Sequence, residues 1–516
     1  MNNPRIKGSL LSRYEDLARK REPYLNRAKA YAKITLPYLL GDDEYGRDEN
    51  DINTSGWQSF GAQAVNHLSN KVVMTLFPPS RTFFKLSFES SVRRELREQG
   101  YDSSLLAEQL TAIEQDCISY MESTTPRDMD IRTLKHLIVT GNFMHYFPEK
   151  RGKAIGVPLT NFVVRRDSSG NTLEVLIRQK KALVSLTPEQ QAQVLSNPSN
   201  RNHKDDHEFD LITSAVRMPD GKFEIKQECG EVAIGAVYRL KEEDLPFTAL
   251  RWNYADGESY GRGLVEDHAS DWYVIQMLSE AIAKGMVLMA DVKYLVKAGS
   301  YTDIDHLLSS PTGEFIEGDI DDIGVLQLDK YADFTPIANV LEKYERRIGQ
   351  VFLMNSAVRR DAERITAYEI RQDAAELETS LGGIYSALAD GWQRPRARRL
   401  LRRALQESTA DLRIEDFDPQ IVTGVEALGR MNELDKIIQL TEVTQMTHQW
   451  PENMQGRVNW DKFLGKVAAE IGLELDWLTS EEEYQKKQQE QQQAQQEQMM
   501  LEQAAKAAPQ MLKGGM

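Results

Sequence analysis

From residue 333 onward, the apolar positions Ile337, Val340, Leu341, Tyr344, Ile348, Val351 and Phe352 recur at intervals of three and four, the spacing of one helix face. A polar break from Met354 to Arg364 follows, and it closes at Thr366-Ala367-Tyr368-Glu369, a capping box whose Thr366 and Glu369 satisfy each other's orphan amides. The next helical pattern keeps Ile370, Ala374, Leu377, Leu381, Ile384, Tyr385, Leu388 and Trp392 on one side. Unbroken, residues 366–392 would form a rod of roughly 40 Å at 1.5 Å per residue. Gly382-Gly383 predicts a kink in it, because each glycine costs about 1 kcal/mol relative to alanine inside a helix.

Helical spacing also marks residues 8–40, and it marks 57–77, where Phe60, Ala64, Val65, Leu68, Val72, Val73 and Leu76 share a face that Pro78-Pro79 ends. Between these two lies an acidic loop, 41–55. Further helices are predicted over 90–124 and 130–141, the latter closed by Gly141-Asn142. From 143 to 254 the period shortens to β-like runs: Phe143–Phe147, Phe162–Arg165, Thr172–Arg178, Phe209–Arg217, Phe223–Gln227, Val232–Tyr238 and Phe247–Trp252. Asp167–Asn171 and Pro219-Asp220-Gly221 supply turns between them. A helix from Gly263 through Met289 then precedes a mixed stretch, 291–332, with an acidic turn at Gly318–Asp322. After the arginines at 394, 396, 398, 399, 402 and 403, helix is expected to about Leu478, followed by a glutamine-rich low-complexity tail over 480–507. The expected class is α+β, mainly helical.

With 516 residues the chain has room for about three or four domains, and its 41% hydrophobic and 28% charged fractions are those of a globular protein. A formal charge of −16 disfavours a protein that coats nucleic acid, which needs lysine and arginine to displace counterions. Cys117 and Cys229 are too few for a disulfide framework or a cysteine-rich zinc module, so a reducing compartment is the simpler expectation. The N-terminal residues lack a signal-peptide core, and no stretch reaches the roughly 18 uninterrupted apolar residues of a membrane span. A cytosolic protein, or one assembled there, is expected.

One stretch mimics an active site. Gly257-Glu258-Ser259-Tyr260-Gly261 fits the G-x-S-x-G nucleophile elbow between a strand and a helix, which makes a serine hydrolase using Ser259 the alternative reading. Its downstream histidines are only His268, His306 and His448, and the alternating strands and helices of a hydrolase sheet are missing, so a turn feeding a helix explains the stretch more simply. His203-Lys204-Asp205-Asp206-His207 has metal-ligand residue types, but Asn197-Pro198-Ser199-Asn200 beside it argues for a solvated loop. No Walker A loop or dinucleotide fingerprint occurs, and no catalytic residue, metal or cofactor is expected. Arg359, Arg360 and Arg364 crowd the break between the two helices, partly offset by Asp361 and Glu363. The run Arg394–Arg403 reads equally as the solvent side of a helix with Leu400, Leu401 and Leu405 inward.

Longer blocks carry a resemblance. Gly56–Ala62 continuing to Leu76-Phe77-Pro78, Val139–Asn142, Asp256–Arg262, Gln327–Thr335, Met354–Val358, Arg364–Arg371, Glu376–Tyr385 and Thr423–Arg430 together resemble the portal proteins, or head-to-tail connectors, of short-tailed phages of the Autographivirus kind. The resemblance implies a portal fold with wing, stem, clip and crown and a C-terminal helical barrel. By family architecture, 1–255 is the wing, 256–290 and 333–353 the stem helices, 291–332 the clip, 354–365 the channel loop and 366–480 the crown, with 481–516 a barrel helix or disordered tail. It further implies a homo-dodecamer at one capsid vertex that passes double-stranded DNA. The implied partners are the terminase large subunit, the tail adaptor, and scaffolding, capsid and internal head (core) proteins, with no membrane. Localisation would be the virion, with the host cytoplasm during assembly. On that reading Arg359, Arg360 and Arg364 face the channel, and Asp319, Asp321 and Asp322 of the clip suit a basic partner. A ring or scaffold outside any virus, binding protein only, is the remaining alternative.

Overall fold

The structure, a computed structural model of the full chain, describes residues 9–40, 56–78, 82–88, 103–124, 127–147, 153–200, 207–290, 293–299, 303–311, 323–326, 331–354, 381–407 and 417–421, with single positions at 313, 315, 317, 319, 321 and 463. The chain divides into two compact units, Met1–Gly424 and Val425–Met516. Only Phe463 of the second is described, and all that follows concerns the first.

Helix α1 (Leu10–Ile34) starts where the Ser9 side chain accepts the Ser12 N–H, an ordinary N-cap. Its buried Arg21 donates to the carbonyls of Leu159, Thr160 and Phe162 at 2.8–2.9 Å and so pins the helix across the strand-rich section. Helix α2 (Phe60–Leu76) buries Ala64, Val65, Leu68, Val72, Val73 and Leu76, the face its periodicity predicts. Strand β1 (Phe84–Phe88) comes next, then α3 (Ser103–Thr124) and α4 (Arg127–Thr140). Gly141 closes α4 at φ 72°, with its N–H on the Leu137 carbonyl at 2.9 Å.

The period-two runs become strands β2 (Asn142–Tyr146), β3 (Ile155–Val157), β4 (Phe162–Arg166), β5 (Thr172–Ala182), β6 (Glu208–Arg217), β7 (Phe223–Cys229), β8 (Val232–Leu240) and β9 (Phe247–Arg251), with helix α5 (Pro188–Ser196) inserted after β5. β4 to β8 form an antiparallel meander in chain order, and β3-β2-β9 make a second, three-stranded sheet. Gly170 and Gly221 take the positive φ that the turns at 167–171 and 219–221 demand. Helix α5 was not legible as apolar periodicity, since Val194 is its only buried residue. Its signal is polar instead: Thr187 and Gln190 form a full capping box ahead of Pro188.

Helices α6 (Leu264–Asp267) and α7 (Ala269–Ala290) follow, then β10 (Lys293–Val296), α8 (Ile304–Ser309) and β11 (Ile323–Leu326), with β10 and β11 paired antiparallel. Helix α9 (Tyr331–Val351) begins five residues before Pro336, so the proline lies inside it, where it forfeits one i→i−4 bond, and does not open it. Helix α10 (Gly383–Leu388) starts from Gly382 at φ 40°, ψ −115°, which breaks the rod where the glycine pair predicted a kink. A π-helical turn, Ala389–Gln393, then leads into α11 (Arg394–Glu407).

Strand β12 (Phe417–Ile421) corrects the expectation of continuous helix beyond 403. It pairs with β1, Phe84 opposite Ile421 and Leu86 opposite Pro419. Pro419 has no N–H to give a helix or an inner strand and is tolerated in a two-stranded edge ladder. One hydrophobic cluster joins α1, α2, α4, both sheets, α7, α9 and α11.

Candidate functional site

Residues 355–380, and with them Arg359, Arg360 and Arg364, lie outside the described residues; what is described is the frame on either side. Before the loop, α9 packs along α7. Trp272 of α7 sits between Phe60 and Phe352, with ring centroids 6.0 and 5.5 Å away, and Ile275, Ile348 and Phe352 are fully buried around it. The Arg347 guanidinium reaches Asp271 at 3.2 Å and lies over the Tyr344 ring. The chain then turns through Leu353 at φ 56°, whose carbonyl is 3.0 Å from His67 Nε2. The turn that leads into the loop is therefore held by α2.

The outer side of the same helix pair is different. Helix α7 is largely apolar, yet on one side of it Met277 and Val287 are 61% and 69% exposed and Tyr273 about half. A helix with that pattern is normally covered on every side. Lys284, paired with Glu280 at 2.6 Å, lies over the exposed Trp57 and is the main polar interruption of this face.

After the loop, the chain is stitched back to its own body. Leu381, Tyr385, Leu388 and Trp392 are buried, Trp392 packing edge-on to Phe77 and His145. Gln393 donates to the Leu76 carbonyl at 2.7 Å. Arg396, 4% exposed, meets the equally buried Asp130 of α4 at 2.9 Å and lies over the Phe77 ring. Arg399 donates to the Leu245 carbonyl at 2.7 Å and stacks 3.8 Å from the Phe147 ring centroid. Arg402 pairs with Asp244, Arg398 with Glu243 at 3.6 Å, and Arg403 lies over Tyr120.

Burial raises the Asp130 carboxyl above its usual range against the pull of Arg396, and burial with Arg402 and Arg396 nearby brings Arg399 down to about 10. Leu400 and Leu401 do point inward as the sequence suggests, but so does Arg396, and Arg398, Arg399, Arg402 and Arg403 are partly buried, while Arg394 stays exposed. This corrects the solvent-side reading of 394–403: a helix whose leucines fill one side still buries guanidinium groups wherever carboxylates, carbonyls and aromatic faces wait for them. No local pattern reveals this, because the partners come from residues 77–147 and 243–245.

In the 293–326 excursion, Asp319 and Asp321 are exposed, and the Asp321 N–H donates to the Asp319 carboxylate at 3.1 Å; Asp322 lies outside the described residues. The acids are thus brought together as one turn. Of the histidine-rich stretch, 203–206 are likewise outside, while the His207 ring packs edge-on to Phe209. Among the described residues no group of histidine, cysteine and carboxylates is placed to hold a metal, and no helix is long and apolar enough to cross a membrane.

The elbow-like stretch at 257–261 is part of an interlock. The Asn142 side chain accepts the Gly261 N–H at 2.7 Å and donates to its carbonyl at 2.8 Å, an amide that mimics a strand partner. Gly141, Gly261 and Gly263 allow the contact: a Cβ on any of them would stand 2.4–2.6 Å from the facing backbone. Ser259 Oγ accepts the Arg166 N–H at 3.2 Å, and the Ser259 carbonyl takes the Arg166 side chain. The serine serves the backbone of β4, and this replaces the nucleophile reading.

With this geometry in view, comparison with known proteins is informative. The family model for "Bacteriophage head to tail connecting protein" matches residues 7–478. A portal protein of Enterobacteria phage SP6 is 42% identical over 98% of this chain and 96% of its own length. A portal protein of Escherichia phage T7 is 34% identical over 82% of this chain and 80% of its own. Among solved structures, a chain of a native gene transfer agent virion covers 86% of this one at 9% identity and a TM-score of 0.38.

Proposed function

The chain belongs to the bacteriophage head to tail connecting protein family, and from that premise we propose that it works as a portal protein: one subunit of the ring through which a short-tailed phage packages and ejects its DNA. It is a structural component of the virion and not an enzyme. Twelve copies surround an axial channel, with α7 and α9 as stem helices, the β10–β11 excursion between them as the clip, residues 1–255 as the wing, and 366–480 as the crown.

The observation that carries the ring is the open face of α7. A lone subunit leaves Tyr273, Met277 and Val287 exposed, and covering apolar surface returns roughly 25 cal/mol per Å2. A neighbouring copy provides that cover.

The acidic body, −16 per copy, repels phosphate and lets DNA slide. Arg359, Arg360 and Arg364, in the loop between stem and crown, grip the backbone transiently without reading bases. With α11 turned onto its own wing, its arginines are spoken for, which leaves the loop as the chief cationic feature for DNA. Asp319, Asp321 and Asp322 at the clip meet basic faces of the terminase large subunit and then of the tail adaptor. Scaffolding, capsid and internal head proteins contact the outside of the ring.

Two measurements test this. Solution mass should be near twelve times 58.8 kDa. Arg359→Ala/Arg360→Ala/Arg364→Ala should keep that mass and lose DNA packaging or retention; unchanged packaging and retention would remove the loop from the mechanism.

A further inference from the structure

Between the turn after α1 and α4 lies a cleft of about 570 Å3. Its floor is apolar, built from Leu39, Ile131, Phe143 and Pro158. Two cations stand over it. Arg132 is exposed and makes no hydrogen bond or ion pair with any described residue, and its guanidinium shares its space with Gly156, where a Cβ would stand 3.2 Å from Nη2 and 2.6 Å from the Phe143 ring. Lys135, one turn on, reaches the Tyr38 hydroxyl at 3.3 Å, and among the described residues no carboxylate pairs with it.

At the cleft wall the His136 ring is stacked on Phe143 at 4.7 Å and is 4% exposed, and its Nδ1 has no hydrogen-bond partner. Burial, with Arg132 nearby, lowers its pKa to about 3, so it adds no third charge. Among the described residues neither cation has a carboxylate partner, whereas Arg396 and Arg13 do.

We propose that this cleft binds an acidic segment of a partner protein, laying an aromatic or large apolar side chain on the floor while a neighbouring carboxylate bridges Arg132 and Lys135. The chemistry favours protein over nucleic acid. Phosphate backbones are held by rows of cations, whereas here there are two, with Asp128 on the rim and an apolar floor of the kind that anchors side chains. A second copy is the weaker occupant, because the face that α7 leaves open uses none of these residues.

The test uses the full-length assembled protein and three fluorescent probes: acetyl-Glu-Phe-Asp-amide, acetyl-Lys-Phe-Lys-amide and a short DNA duplex. The acidic peptide should bind saturably, about tenfold or more tighter than the basic one at low salt, and Arg132→Gln/Lys135→Gln should weaken it about tenfold with melting temperature and ring mass unchanged. Equal binding of the two peptides, no saturable binding of the acidic one up to ~10 mM, or indifference to the double substitution would overturn the proposal. So would a double variant that loses duplex binding while keeping the peptide, which points to nucleic acid, or one whose ring mass falls, which points to a second copy.

Discussion

Helices α7 and α11 both carry side chains that look wrong for their surroundings, and they resolve the problem in opposite ways. Helix α11 brings five of its six arginines to partners elsewhere in its own chain: Asp130, Glu243, Asp244, the Leu245 carbonyl, and the rings of Phe77, Phe147 and Tyr120. Helix α7 leaves Tyr273, Met277 and Val287 exposed on one side, where none of the described residues covers them. The guanidinium groups of α11 are largely satisfied within the subunit, whereas the exposed apolar side chains of α7 are not covered by the described residues. A subunit built this way is a finished fold and an unfinished surface, as a ring component needs to be.

That contrast can be broken by substitution, with the largest effect on folding expected at the buried pair. Asp130→Ala leaves Arg396 charged and uncompensated among Phe77 and Trp392, and should cost about 3–5 kcal/mol by chemical denaturation. A loss below ~1 kcal/mol would mean that α11 is not held as described. Next comes the interlock: Gly263→Ala sets a methyl 2.5 Å from the Ile138 carbonyl and should cost about 1–3 kcal/mol, read as a lowered melting temperature.

A pH-dependent effect, confined to acid, belongs to His136. Its folded pKa of about 3 lies below the unfolded value of 6.5, so the unfolded chain binds the proton first. Its contribution to stability is therefore complete above pH 6.5 and falls by at most about 1.4 kcal/mol per pH unit as pH drops from there towards 3. His136→Phe, which keeps a ring on Phe143, should flatten that part of the melting profile relative to the parent. The smallest effect on the fold, within about 0.5 kcal/mol, is expected for Met277→Glu/Val287→Glu on the open face. The same double variant should abolish the ring by native mass measurement. Intact rings would show that α7 does not meet a neighbour.

Much of the fold was legible because its signals are local. Period-two runs marked seven strands of the two sheets, helical spacing marked the buried face of α2 and, apart from the exposed Val340, the partly buried side of α9, and Gly141, Gly170, Gly221 and Gly382 marked places where φ turns positive. Strand β3 and helix α5 were missed because they bury too little to leave a pattern: β3 has three residues, and α5 buries Val194 alone. Strand β12 was missed for another reason. Its partner β1 lies far away in the chain, and nothing within Phe417–Ile421 names Phe84–Phe88. The site shows the same division. The acids of the clip and the arginines of the loop can be read from their crowding, and the described residues place Asp319 and Asp321 on one exposed turn.

Sequence alone determined the periodic elements, the turns, the acidic balance and the family, since each rests on neighbouring residues or on long blocks of identity. Tertiary structure decided what the ambiguous groups are for. It turned Arg396 and Arg399 inward, gave Ser259 to the Arg166 backbone, and left Arg132 and Lys135 without carboxylate partners among the described residues. The reason is physical: periodicity records which side of an element is apolar, but a charge or a hydroxyl acquires its role from the groups that folding brings within about 3 Å of it.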